Sequence, residues 1–199
     1  MKRGVALCLG LGLPLLTSAG HGLMNAFGDI EWLPSPGRTP DQWSYPLDAW
    51  QERMQLTLAP AGAARVTRCL RIAREKIAEA EAMVKREQVA ATAVASRAYG
   101  DALARTVASI AQAVASERPR LREQLAKALL EHQYIVSVDY LDLPRASRPA
   151  LAAIIDDASR YYAAVRALLP PAVVAAAFFR EEEVRWSWEM AQRADQQNL

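Results

Sequence analysis

The chain has 199 residues, with 24 Lys+Arg against 22 Asp+Glu and a formal net charge of +2. Hydrophobic residues make up 52% and charged residues 23%, an ordinary globular composition that excludes a disordered chain. Near-balanced charge gives no electrostatic case for nucleic acid, and two Cys exclude a disulfide-rich scaffold.

The N-terminus carries the charge excess. Lys2 and Arg3 precede an apolar stretch, Gly4 to Leu16, and then the small residues Thr17, Ser18, Ala19 and Gly20. This three-part layout predicts a secretory signal over residues 1–20, cleaved after Ala19 or Gly20. A retained anchor is the alternative, because Leu23, Met24, Ala26 and Phe27 extend the apolar segment toward the length of a membrane span. Without Lys2 and Arg3 the remaining chain is formally neutral. If Cys8 leaves with the signal, Cys69 has no internal disulfide partner and reads as a buried small hydrophobe.

Residues 21–39 contain Gly22, Gly28, Pro34, Pro36 and Gly37 and predict an extended linker. Trp32 and Leu33 are the residues expected to pin it to the body. From Pro40 onward the pattern is helical. Pro46 suits a first helical turn and Asp48 suits its positive dipole end. Leu47, Trp50, Met54 and Leu58 then recur at three-to-four spacing until Pro60.

A second helix is expected from about Ala61 to Gln88. Its apolar stripe is Val66, Cys69, Leu70, Ala73, Ile77, Ala80 and Val84, with Arg68, Arg71, Arg74, Glu75, Glu79 and Glu81 covering the remainder. A third runs from about Val89 to Ala115, with Tyr99, Leu103, Ile110 and Val114 inward. Ser116 and Pro119 mark a restart or a kink, after which the pattern continues toward Tyr140 through Leu121, Leu125, Ala128, His132 and Ile135. The run Tyr134 to Val138 is β-rich, but an isolated strand would have no partner, so helix is favoured. Ser147 as N-cap and Pro149 in the first turn open a fifth helix carrying Leu151, Ile154, Ile155, Ala158, Tyr162, Val165 and Leu168. Pro170-Pro171 breaks it, and a last helix spans roughly Ala172 to Gln196. The fold class is therefore all-α, an antiparallel bundle of about five to six helices over residues 40–199, after the signal and linker.

Trp43-Ser44-Tyr45-Pro46-Leu47-Asp48, Glu52, and Arg68-x-x-Arg71-x-x-Arg74-x-x-Ile77-x-Glu79-Ala80 form a recurring pattern. They resemble an uncharacterised helical domain found after a signal or anchor in bacterial proteins, over roughly Pro40 to Ile110. The usual Lys of that pattern is replaced by Asp48. The resemblance implies an extracytoplasmic, all-α domain and no particular activity. Glu52 is expected to pair with Arg71 or Arg74 of the next helix and so set their register.

Catalytic and metal signatures are missing from the sequence. His21 and His132 are the only histidines, and neither Cys-x-x-Cys nor His-Glu-x-x-His nor Glu-x-x-His occurs. His132, beside Glu131 on an apolar stripe, reads as structural. A mature N-terminus at His21 could instead chelate copper with His132 as a further ligand. There is no Gly-x-Ser-x-Gly elbow and no Gly-rich phosphate loop. Asp156-Asp157 and Glu181-Glu182-Glu183 read as solvated helix faces. No cofactor is expected.

In the last helix Trp186 and Trp188 lie about 200° apart around the axis, so they cannot share one stripe. Trp32, Trp186, Trp188 and Met190 are the candidate partner-binding residues, because Trp is enriched at interfaces. The expected function is that of a non-enzymatic exported accessory protein of an envelope complex. It binds a protein partner, with membrane-surface association as the other contact these residues suit, and no nucleic acid. The second reading is a periplasmic chaperone similar to the Spy/CpxP group; Leu56-Thr57-Leu58-Ala59-Pro60 resembles its Leu-Thr-x-x-Gln motif without the Gln. A metal-binding bundle is the third.

Overall fold

The computed structural model describes residues 26–140 and 143–197. The signal-like segment 1–20, Cys8 and His21 lie outside these residues. Six α-helices occur among the described residues, with no strand: α1 (Tyr45–Leu58), α2 (Ala63–Lys85), α3 (Val89–Gln112), α4 (Arg118–Asp139), α5 (Arg148–Arg166) and α6 (Pro171–Gln197). A 3₁₀ turn, Arg145–Ser147, leads into α5.

Proline opens four of these helices. Pro46, Pro119 and Pro149 sit in the first turns of α1, α4 and α5, and Pro171 begins α6. The missing N–H is no loss there, since first-turn N–H groups have no helical acceptor. Ser147 does occupy the N-cap position of α5, but its hydroxyl makes no capping bond and is buried without a partner. Gly62, at φ 91°, turns the chain into α2; a Cβ there would be strained and would stand 2.8 Å from a Glu117 carboxylate oxygen. Tyr134 to Val138 lies inside α4, with Ile135, Val136 and Ser137 buried, so tertiary burial overrides local β-propensity.

Helices α2 and α3 form a hairpin about a three-residue turn and pack along their length, while α4 packs on α5 and α6, and α3 on α5. The whole expected stripe of α2 is buried. Tyr99 and His132 meet at the centre, with 3.1 Å between the phenol oxygen and Nδ1. Burial, reinforced by the charge of Arg74, lowers the His132 pKa to about 3. This histidine is a neutral structural group with one ring nitrogen already bonded, which removes it as the accessible copper ligand.

Two inward assignments fail at helix ends. Val114 is 62% exposed and Leu168 58% exposed, because α3 stops at Gln112 and α5 at Arg166. The segment before α1 is tied down more firmly than its composition suggests. Phe27 is buried, stacked on Tyr134 at 4.2 Å between centroids, with the Arg180 guanidinium 5.3 Å from its ring. The Ala26 N–H donates to Glu183 at 2.8 Å. Asp29 pairs with Arg180 and Lys127, and Glu31 with Arg74. Ile30 and Leu33 rest on the core. Trp32 does not pin the segment; it stands 55% exposed.

Candidate functional site

Helix α1 is built inside out. At about 100° per residue, Leu47, Trp50, Met54 and Leu58 fall within an arc of about 80°, and Tyr45, Ala49, Glu52 and Leu56 lie opposite. The second group faces the bundle. The first faces solvent, with Trp50 61% and Leu58 77% exposed, and Trp43 just before the helix 88% exposed. No residue of α1 is buried.

The reason lies in α2. Lys76 falls on the α2 face that the fold buries and is 2% exposed. Its ammonium donates to Glu52 at 2.7 Å and to Glu79 at 2.8 Å, and lies 5.1 Å from the centroid of the Tyr45 ring. A buried ammonium needs such acceptors, and α1 supplies one of them only with its Glu52 face inward. Burial alone would lower the Lys76 pKa, but the bonds to Glu52 and Glu79 outweigh it and raise the pKa. Glu79 is pushed up to about 7 by burial, against the pull of Lys76. One of its oxygens, Oε2, has no hydrogen-bond partner. Tyr45 is pushed up to about 12 by burial and by the nearby Glu79 charge.

These contacts correct two sequence expectations. Glu52 does set the α1–α2 register, but through Lys76; Arg71 pairs with Glu75 and Arg74 with Glu31. Glu79 belongs to the buried face, not to the solvated remainder of α2. Sequence reasoning missed Lys76 because a lysine among Ile72, Ala73 and Ile77 looks like an interruption of the stripe. The signal available was the i,i+3 spacing to Glu79, which puts a base and an acid on one face.

Elsewhere α1 is held lightly. Arg68 donates to Gln55, and Arg65 donates twice to the Ala59 carbonyl, at 3.2 and 2.7 Å. A groove of about 530 Å³ lies along one flank, between α1 and the α2–α3 hairpin, with Cys69 and Lys76 contributed by α2 and Arg105, Ala108 and Ser109 by α3. Burial raises the Cys69 pKa, so the thiol is neutral. A smaller pocket of about 250 Å³ on the opposite flank is lined by Asp48, Glu52, Arg71, Glu75 and Glu79.

Residues 37–134 match the family model described as Domain of unknown function (DUF5667). That segment is a DUF5667 domain. It spans α1, α2, α3 and most of α4, and thus holds the inverted helix, the Lys76 cluster and the groove. It is an uncharacterised family, as the sequence resemblance implied. No curated protein and no solved structure matches the chain significantly.

The C-terminal candidates lie outside the DUF5667 domain and separate as the 200° offset requires. Trp188 packs inward, edge-on to Tyr140 at 5.0 Å between centroids. Trp186 is 52% exposed and Met190 43% exposed, as are Phe178 at 51% and Phe179 at 61%. In α6, only Val184 and Ala191 are buried. Trp186 and Met190 therefore share an outer face, and Trp188 is a core contact. Among the described residues no group of three or more His, Cys, Asp or Glu is placed to hold a metal ion, and no helix is long and apolar enough to cross a membrane.

Proposed function

We propose that the protein is a non-enzymatic accessory protein, exported to the cell envelope, that works by binding another protein through the apolar face of α1. The observation that carries this reading is the inversion of α1: Leu47, Trp50, Met54 and Leu58 point outward while Lys76 locks the opposite face down. A monomer gains nothing by exposing a row of large apolar side chains, and such a patch suits a partner surface. The outer face of α6, with Phe179, Trp186 and Met190, extends the same reading. The signal-like residues 1–20 support placement outside the cytoplasm.

The test is affinity capture from detergent-solubilised membranes, using the wild type and a Leu47→Ser/Trp50→Ser/Met54→Ser variant. One fixed partner should be recovered with the wild type and lost with the variant, while circular dichroism shows both folded. Recovery of no partner, or equal recovery by both, overturns the proposal. The exposed apolar row also suits a chaperone of the Spy/CpxP kind. In that case the wild type would suppress aggregation of unrelated unfolded proteins, and the triple variant would not.

A further inference from the structure

The groove on the α3 side of α1 has the space and the charge of a ligand site. Its volume of about 530 Å³ lies within the roughly 300–1,000 Å³ of small-molecule sites. It exists because the side chains facing each other across it are small. Ala49 comes from α1 and Ala98 and Ala108 from α3, with buried Cys69 as the floor. Lys76 fixes α1 near its middle, through Glu52, and the Arg65–Ala59 bonds fix its C-terminal end, so the helix bridges the gap without filling it.

The charge around this apolar floor is uneven. Lys76 is already matched by Glu52 and Glu79. Arg53, Arg65 and Arg105 remain, against Asp101 alone. Arg65 is bonded to the Ala59 carbonyl and to Gln112, and none of the three pairs with a carboxylate among the described residues. Guanidinium groups beside a partly dry groove favour an anion with a planar, bidentate head. A purely hydrophilic anion would leave the floor uncovered, and a cation would meet three arginines.

We infer that this groove binds a single-chain alkyl carboxylate, with its chain along Cys69, Ala98 and Ala108 and its carboxylate held by Arg53 and Arg105. Binding closes the gap under α1 and leaves the outward stripe free. This site is independent of the protein-binding face, so either reading can fail without the other.

The experiment is calorimetric titration of the full chain with dodecanoate below its micelle concentration. One saturable site is expected. Arg53→Gln/Arg105→Gln should weaken it roughly tenfold or more. Ala108→Trp, which fills the groove, should abolish it, and Trp50→Ser on the outer stripe should leave it unchanged. The two arginines are surface residues, so the double variant keeps the test valid should Ala108→Trp fail to fold. Dodecyltrimethylammonium should not compete. Absence of saturable binding overturns the inference. So does binding that survives the arginine substitutions, binding lost on Trp50→Ser, or equal affinity for inorganic phosphate.

Discussion

Helices α1 and α2 touch along one side, and each combines an apolar stripe with charged residues, yet they are buried in opposite senses. In α2 half the residues are buried, and the stripe read from the sequence is the one that packs. In α1 nothing is buried and the stripe faces water. The difference teaches that amphipathicity names two faces but does not say which is covered inside the chain. Helix α2 is surrounded by α1, α3 and α4, so even its Lys76 and Glu79 are carried inward. Those two then dictate what α1 must present, and Glu52 answers. A buried ammonium needs carboxylate acceptors, and α1 presents Glu52 to it while its four large apolar side chains are left outside.

Breaking the pin tests this comparison most severely. Lys76→Met strands Glu79 and Glu52, and should destabilise the protein by about 3–5 kcal/mol in urea unfolding. If it costs nothing, the pin is not what orients α1. Core truncation on the α2 side comes next. Ile77→Ala should cost about 2–5 kcal/mol, while Trp50→Ser on α1 should change stability by no more than about 0.5 kcal/mol. Equal losses at both positions would mean that the α1 stripe is covered by this chain itself.

The pH dependence sharpens the same contrast. His132 has a folded pKa of about 3 against a usual 6.5, so the unfolded chain binds the extra proton. Its contribution is fully present above pH 6.5 and is lost as pH falls toward 3. Glu79 runs the other way: its pKa rises from 4.5 to about 7, so its contribution is full below pH 4.5 and is lost as pH rises to 7. In stability measured against pH, His132→Asn should flatten the acid limb, and Glu79→Gln should remove the decline between 4.5 and 7. The smallest effect is expected in the turn that leaves α2. Glu87 holds φ 58°, a left-handed conformation that favours glycine, so Glu87→Gly should raise stability by up to about 1 kcal/mol. A decrease would show that the Glu87 side chain contributes something its backbone conformation hides.

Much of the fold was legible in the residues. Prolines 46, 119, 149 and 171 mark helix starts to within a residue or two, because a missing N–H and a fixed φ are tolerated only there. The stripes of α2, α4 and α5 were readable because a helix enclosed on several sides must bury its apolar face. The site was less legible. Trp32 and Trp186 stand outward, but Trp188 is a core contact on Tyr140, and which of two opposed tryptophans turns inward depends on where α4 lies. Phe27 reads in the sequence as an extension of the N-terminal apolar segment; its place in the core was not legible because its partners, Tyr134 and Arg180, are more than a hundred residues away. Val114 and Leu168 follow their helical periods but lie beyond the last turn that packs.

By itself the sequence determined that this chain is all-α, where its proline-led helices begin, which stripe of α2 forms the core, and that the net charge of +2 resides in Lys2 and Arg3. Those features depend on backbone chemistry and local periodicity, which act within a few residues. Only the tertiary structure decided that Lys76 is buried, that α1 must therefore turn its polar face inward, and that a groove lies beneath it. A buried charge is satisfied by whichever helix can reach it, and reach is a property of the packed bundle.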